Sequence, residues 1–322
     1  MEDIFWVSKD NVLECRSCSN YCKFSQESTV GYCGNITRKG NVLEESEIPL
    51  ALGPEYIEKL ELYHFWPGST FYVVHGVKGP APENMRYFVT LLKHPKITTL
   101  SIKEIVKIAK QGKMRGLAVI NPESSISWVL SAIKEFSKNK MQTCVISYGY
   151  LTKDAVKMMV TYGLNALLTM HIPSSESSSE ETWNAVKLAK ESGIHVENAV
   201  LLIKNLNDSD AFVHEFSKRH LNILGNDVPL HFIPDIAKKP STDTLERCVK
   251  IGKVHGIKYV YLSYPGHKYA NTMCPSCNRV KIERYDTVTG YDLENNVCSC
   301  REPIPIIGDI TVHKREFRKR AL

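Results

Sequence analysis

The sequence predicts an α/β fold, a partial barrel of six or seven βα units with a four-cysteine metal module before it and a zinc ribbon after it. Three observations predict this. Short apolar runs rich in Val, Ile, Leu and aromatics alternate with amphipathic stretches from residue 71 to residue 262. All but two of the 10 cysteines fall in two tight groups, Cys15–Cys33 and Cys274–Cys300, with Cys144 and Cys248 between them. Hydrophobic content of 43% against 24% charged residues is that of an ordinary globular chain.

The runs Phe71–His75, Gly116–Ile120, Thr143–Ser147, Ala166–Met170, Asn198–Ile203, Pro229–Ile233 and Tyr259–Leu262 read as strands covered on both faces, because several are apolar at nearly every position. Helix starts lie between them. Ser101 and Glu104 have the spacing of a capping box, and Thr152, Asp208 and Asp243 are expected N-caps. Gly163, Gly193 and Gly256 stand where helices should stop. About 200 residues are too few for a full eight-fold barrel, so an open (β/α)6–7 barrel fits best. A flat doubly wound sheet is the runner-up, although no Gly-x-Gly-x-x-Gly follows the first strand. Ser174–Glu181 reads as a polar surface loop. The expected organisation is a cysteine module and lead-in over 1–70, the barrel over 71–268, the ribbon over 269–312 and a basic tail over 313–322.

No apolar run approaches the ~20 residues of a membrane span, and MEDIFWVSKD lacks the apolar core of a signal peptide. A cytoplasmic location without membrane contact is the expectation. The net charge is +6, and much of it gathers at Lys314, Arg315, Arg318, Lys319 and Arg320. That tail reads as a solvated terminus or as a contact for phosphate on RNA or a ribosome.

Clustered thiols in a reducing compartment point to metal rather than disulfides. Cys15-x2-Cys18-x3-Cys22-x10-Cys33 places thiolates on tight turns that can complete a tetrahedron around zinc; a [4Fe–4S] cluster is the alternative ligand for the same four. Cys274-Pro-Ser-Cys277 is a zinc-ribbon knuckle, completed by Cys298-Ser-Cys300, one residue shorter than the usual second pair. Four sulfurs leave no open position, so a structural ion is expected there.

The chain from Cys15 to Gly308 resembles the radical SAM enzyme family of the AmmeMemoRadiSam system. The resemblance rests on Gly31-Tyr32-Cys33-Gly34, Ile57-Glu58-Lys59, the stretch Leu62-Tyr63-His64-Phe65-Trp66-Pro67-Gly68-Ser69, and Asn207-Asp208-Ser209. It continues in Pro265-Gly266-His267, Asn271-Thr272 and Cys274-Pro275-Ser276-Cys277. It implies a radical SAM-type barrel and partners among Memo-like or AMMECR-like proteins. It also marks a departure. In the family, the loop after the first strand carries Cys-x3-Cys-x2-Cys, which holds the [4Fe–4S] cluster that binds S-adenosylmethionine. Here that loop runs from His75 to Asn84 without a cysteine, and the family's Tyr-Asn-Glu-Pro stands as Ile120-Asn121-Pro122-Glu123. With no such cluster there is no electron donor for S-adenosylmethionine.

The reading is therefore a catalytically inactive relative, a zinc-containing binding or scaffold protein with no catalytic residue, acting within a larger protein or ribonucleoprotein assembly. Two enzymatic alternatives stand beside it. One is an active radical enzyme whose cluster has moved to Cys15, Cys18 and Cys22. The other is a metal hydrolase at the barrel mouth, where strand ends supply His75, Asn121, Glu123, Tyr148, His171, Lys204, His231, Asp235 and His267. The same residues, with Lys78, would line a pocket for S-adenosylmethionine or another small anionic ligand.

Overall fold

The structure is a computed structural model that describes residues 5–76, 78–79, 99–172, 180–263 and 266–313. The tail cations Lys314, Arg315, Arg318, Lys319 and Arg320, the segment 80–98 and most of the 174–181 loop lie outside the described residues.

The chain opens with β1 (Trp6–Lys9) and β2 (Val12–Cys15), an antiparallel hairpin to which β3 (Lys23–Phe24) adds a third strand. The hairpin turn is Asp10-Asn11, with φ of 50° and 59°. This left-handed pair matches strand twist, and Asp and Asn tolerate it better than most residues. A second hairpin joins β4 (Ile36–Lys39) to β5 (Val42–Glu45). Glu45 then reaches the main body, where its carboxylate accepts from the N–H groups of Ser127 and Trp128.

The central sheet contains β6 (Leu50–Tyr56), β7 (Thr70–His75), β8 (Gly116–Ile120), β9 (Gln142–Ser147), β10 (Ala166–His171), β11 (His195–Leu202), β12 (Leu230–Pro234) and β13 (Val260–Leu262). Their order across the sheet is their order along the chain, and β7 to β13 are all parallel. β6 pairs antiparallel with β7 at one edge. The boundary expected at residue 70 therefore does not hold for packing: residues 50–56 are hydrogen-bonded into the main sheet.

One helix follows each strand from β7 to β12: α1 (Ile102–Gln111), α2 (Ile126–Lys138), α3 (Lys153–Thr161), α4 (Glu180–Glu191), α5 (Asp210–Leu224) and α6 (Thr242–Val254). The Ser101–Glu104 capping box is formed in both directions, and Thr152 accepts from Ala155 N. Two expected N-caps shift. Asp208 spends its carboxylate on Asn205 N, so Ser209 caps α5; Ser241 caps α6 and leaves Asp243 in the first turn.

Side chains alternate between two packed layers, as strand pleating dictates. On β8, Leu117 and Val119 join a cluster with Ile105, Val129, Val156, Val186, Val213 and Val249 from the six helices. Ala118 and Ile120 join a second cluster that contains no residue of the six α-helices and includes Phe65, Phe71, Cys144, Leu168 and Met170. All six helices thus cover one face. That rules out the doubly wound sheet, which needs helices on both. Among the described residues no ladder joins β13 to β6, so the sheet is open.

A small antiparallel sheet follows, β14 (Thr272–Met273), β15 (Val280–Arg284) and β16 (Val288–Tyr291). A buried polar chain ties it to the main sheet. Arg284 donates to Thr272 Oγ1 and Tyr63 O, Thr272 meets the Tyr261 hydroxyl, and that hydroxyl lies 2.6 Å from His64 Nε2. The His64 peptide N–H donates to Glu197, which also holds the Nε2 atoms of His195 and His231 at 3.0 and 2.6 Å. Burial works to raise the Glu197 pKa, but the hydrogen bonds from the two histidines outweigh it and hold the carboxyl well below its ordinary value.

Candidate functional site

The small sheet carries the best-defined site. Cys274 follows β14, and its peptide N–H donates to Arg279 O, so the chain turns back with Cys277 on the bend. Asn278 adopts φ of 56° to close that turn. Cys298 and Cys300 lie on a second turn closed by Arg301 N to Cys298 O. Among the described residues, these four are the one group of three or more His, Cys, Asp or Glu whose ligand atoms all lie within 4.8 Å of one another. The sulfurs of Cys274 and Cys300 are 3.5 Å apart, and those of Cys277 and Cys298 are 3.6 Å apart.

Cations sit against the sulfurs. Arg279 donates to Cys277 Sγ, which lowers the Cys277 pKa. At Cys298 burial works against ionisation, but the Cys300 N–H and the neighbouring thiols overcome it and bring the group to about 6. Burial pushes Cys274 the other way, to about 12. The Arg279 guanidinium and the Cys300 N–H thus favour the thiolate, the form that ligates metal, at Cys277 and Cys298. This is a four-cysteine metal-binding site.

The N-terminal thiols occupy a different place. Cys18 bridges antiparallel to Leu151, Ser19 N donates to Tyr150 O, and Asn35 Nδ2 donates to Ser124 O at 2.8 Å. The cysteine module is thus seated on the loops after β8 and β9, at the C-terminal ends of the strands. Cys15, Cys18 and Cys33 are buried and Cys22 half-buried. Burial pushes Cys15 up to about 11 and raises Cys18 and Cys33 as well. Cys22 Sγ accepts from Tyr32 N at 3.3 Å, and Cys33 Sγ from Asn35 N at 3.5 Å.

The residues expected at the barrel mouth separate. His75, Lys78, Asn121, Glu123 and Tyr148 do lie at the ends of β7, β8 and β9. Asn121, at φ of 55°, donates to the carbonyls of Gly76 and Lys78. A Cβ on Gly76 would come within 2.1 Å of Asn121 O, so only glycine allows this approach. Lys78 reaches Gly34 O at 3.1 Å and pairs with Glu47 at 2.7 Å. Glu123 accepts from Ser147 Oγ, and burial lifts its carboxyl to about 7.

The other histidines do not join them. His171 belongs to the helix side of β10, with its ring 4.4 Å from that of Trp183 and its Nε2 on Asn198. His231 lies in the N-terminal half of β12, on Glu197. His267 accepts from Tyr269 N and lies 3.3 Å from Glu246. Lys204 and Asp235 meet only as loop partners: Lys204 N donates to Lys238 O, and Asp235 accepts from Ala237 N and Lys238 N. The histidine metal centre expected of a hydrolase is not assembled among the described residues. Sequence reading missed the Glu197 network, whose signal was a lone acid in the apolar run His195–Leu202.

No family model matches the chain. It is 27% identical over 338 aligned residues to an uncharacterized protein of Methanocaldococcus jannaschii, covering 92% of this chain and 96% of the relative. Among solved structures it is similar to a radical SAM methyltransferase from Sphaerobacter thermophilus, with a TM-score of 0.45, 17% identity and coverage of 66% of this chain and 71% of that one. It is also similar to a domain of a pyruvate-formate lyase-activating enzyme from Bacteroides vulgatus, with a TM-score of 0.38, 14% identity and coverage of 42% and 90%. No helix among the described residues is long and apolar enough to cross a membrane.

Proposed function

We propose that this chain is a radical SAM-like protein that has kept the scaffold and lost the radical chemistry, and that it works as a zinc-containing binding protein. One observation carries the reading. The loop after β7, where the resembling family has its three cluster cysteines, is thiol-free from His75 to Asn84. Its described start is also pinned by Asn121, Glu47 and Gly34.

The C-terminal four-cysteine site fits zinc. Four thiolates at a Zn–S distance of 2.3 Å form a tetrahedron with edges of about 3.8 Å, close to the spacing of its two sulfur pairs. Beside it runs a groove of about 540 Å³ lined by Tyr291, Asp292, Leu293, Glu294 and Val297. Its acids and apolar side chains suit a protein segment better than the phosphates of RNA. A protein partner is therefore the favoured occupant, and the family resemblance implies one of the Memo-like or AMMECR-like kind.

The test is to incubate the full chain, reconstituted anaerobically with iron and sulfide, with a strong reductant and S-adenosylmethionine. No 5′-deoxyadenosine is expected. Formation of that product would establish an active enzyme with a relocated cluster and end this reading.

A further inference from the structure

We infer that Cys15, Cys18, Cys22 and Cys33 form a binding site for a polynuclear iron–sulfur cluster, a different kind of centre from the single-ion site at the other end of the chain. The argument is one of spacing. Four thiolates around one ion must crowd to edges of about 3.8 Å, and the C-terminal sulfurs do so. The N-terminal four are brought together by the backbone: Cys15 N donates to Cys22 O, Tyr21 N to Cys18 O, and Tyr32 N, one residue before Cys33, to Cys22 Sγ. Yet no three of them bring their sulfurs within 4.8 Å of one another. A polynuclear cluster sets each thiolate on its own iron with sulfide between, and so needs this wider cage.

The surroundings fit the same occupant. Relative exposures of 3% at Cys15, 5% at Cys18 and 8% at Cys33 make a dry pocket, and Cys18 packs with Tyr148 and Tyr150. Two peptide N–H groups already point at Cys22 and Cys33 sulfurs, the kind of hydrogen bond that tunes such clusters. With all four positions filled by protein thiolates, no iron remains open to S-adenosylmethionine. The inference is therefore compatible with the proposed function but does not depend on it.

The experiment measures iron, acid-labile sulfide and zinc per chain after anaerobic reconstitution, with Mössbauer spectra of the bound iron. Iron and sulfide in equal amounts are expected, together with about one zinc for the single closed site. Cys22→Ala, at a half-buried position, should lose the iron and sulfide while keeping zinc and the far-ultraviolet circular dichroism of the parent. Cys300→Ala, at an exposed position, should lose zinc and keep the cluster. Two zinc ions per chain with no sulfide, or iron bound as a single ion, would overturn the assignment. Cleavage of S-adenosylmethionine, which needs an open iron, would refute the pseudoenzyme reading and show a cluster held by only three of the four thiolates, overturning the four-thiolate assignment as well.

Discussion

Glu123 is buried against Ser147, and burial raises its folded pKa from the ordinary carboxyl value of 4.5 to about 7. An acid whose folded pKa is raised lends its stability fully below pH 4.5 and loses it as pH climbs through 7. The parent should thus lose about 2–3 kcal/mol between pH 5 and pH 8 from this group. Glu123→Gln removes the titration, so its stability relative to the parent should rise across that window in urea melts. A pH-independent difference would show that the carboxyl is not held this way. At this scale the cysteine spacings were legible, because short-range ligand geometry is written in sequence. The directions of the histidines were not. His171 shares a strand face with Leu167, and His231 lies near the start of β12, placements that follow from register rather than from residue type.

At the scale of elements, continuous apolar runs gave the parallel strands within a few residues, since strands covered on both faces leave no polar side. β6 escaped because Gly53-Pro54 interrupts it, which an edge strand tolerates. The apolar run starts at Asn198, whereas β11 starts at His195 and takes in Glu197, the acid that the buried network needs. Helix starts were legible to within two residues, the shifts arising where Asp208 had nearer work as a turn acceptor. The capping box gives a direct check: Ser101→Ala should cost about 1 kcal/mol by denaturant titration without changing the slope. A neutral substitution would mean that α1 draws nothing from its cap.

Over the whole molecule, two thiol sets mark different places on one open sheet. One sits over the C-terminal ends of its strands, and the other is bonded through Arg284, Thr272, Tyr261 and His64 to Glu197 within it. The second connection makes the four-cysteine site part of the fold rather than an appendage, because leaving such buried groups half-paired costs several kcal/mol. The parallel strands with a helix after each were readable from their alternation, but that all six helices cover one face emerges only from the packing, since a doubly wound sheet alternates in the same way. This polar linkage was not readable either, since it joins residues more than 200 positions apart such as Tyr63 and Arg284. The most direct measurement is thermal unfolding of the full chain before and after removal of its zinc by a chelator. About one zinc per chain is expected from the single closed site, with one cooperative transition whose Tm falls by roughly 5–10 °C on its removal. A chain that binds no zinc, or whose main transition is unmoved when zinc leaves, would contradict the account.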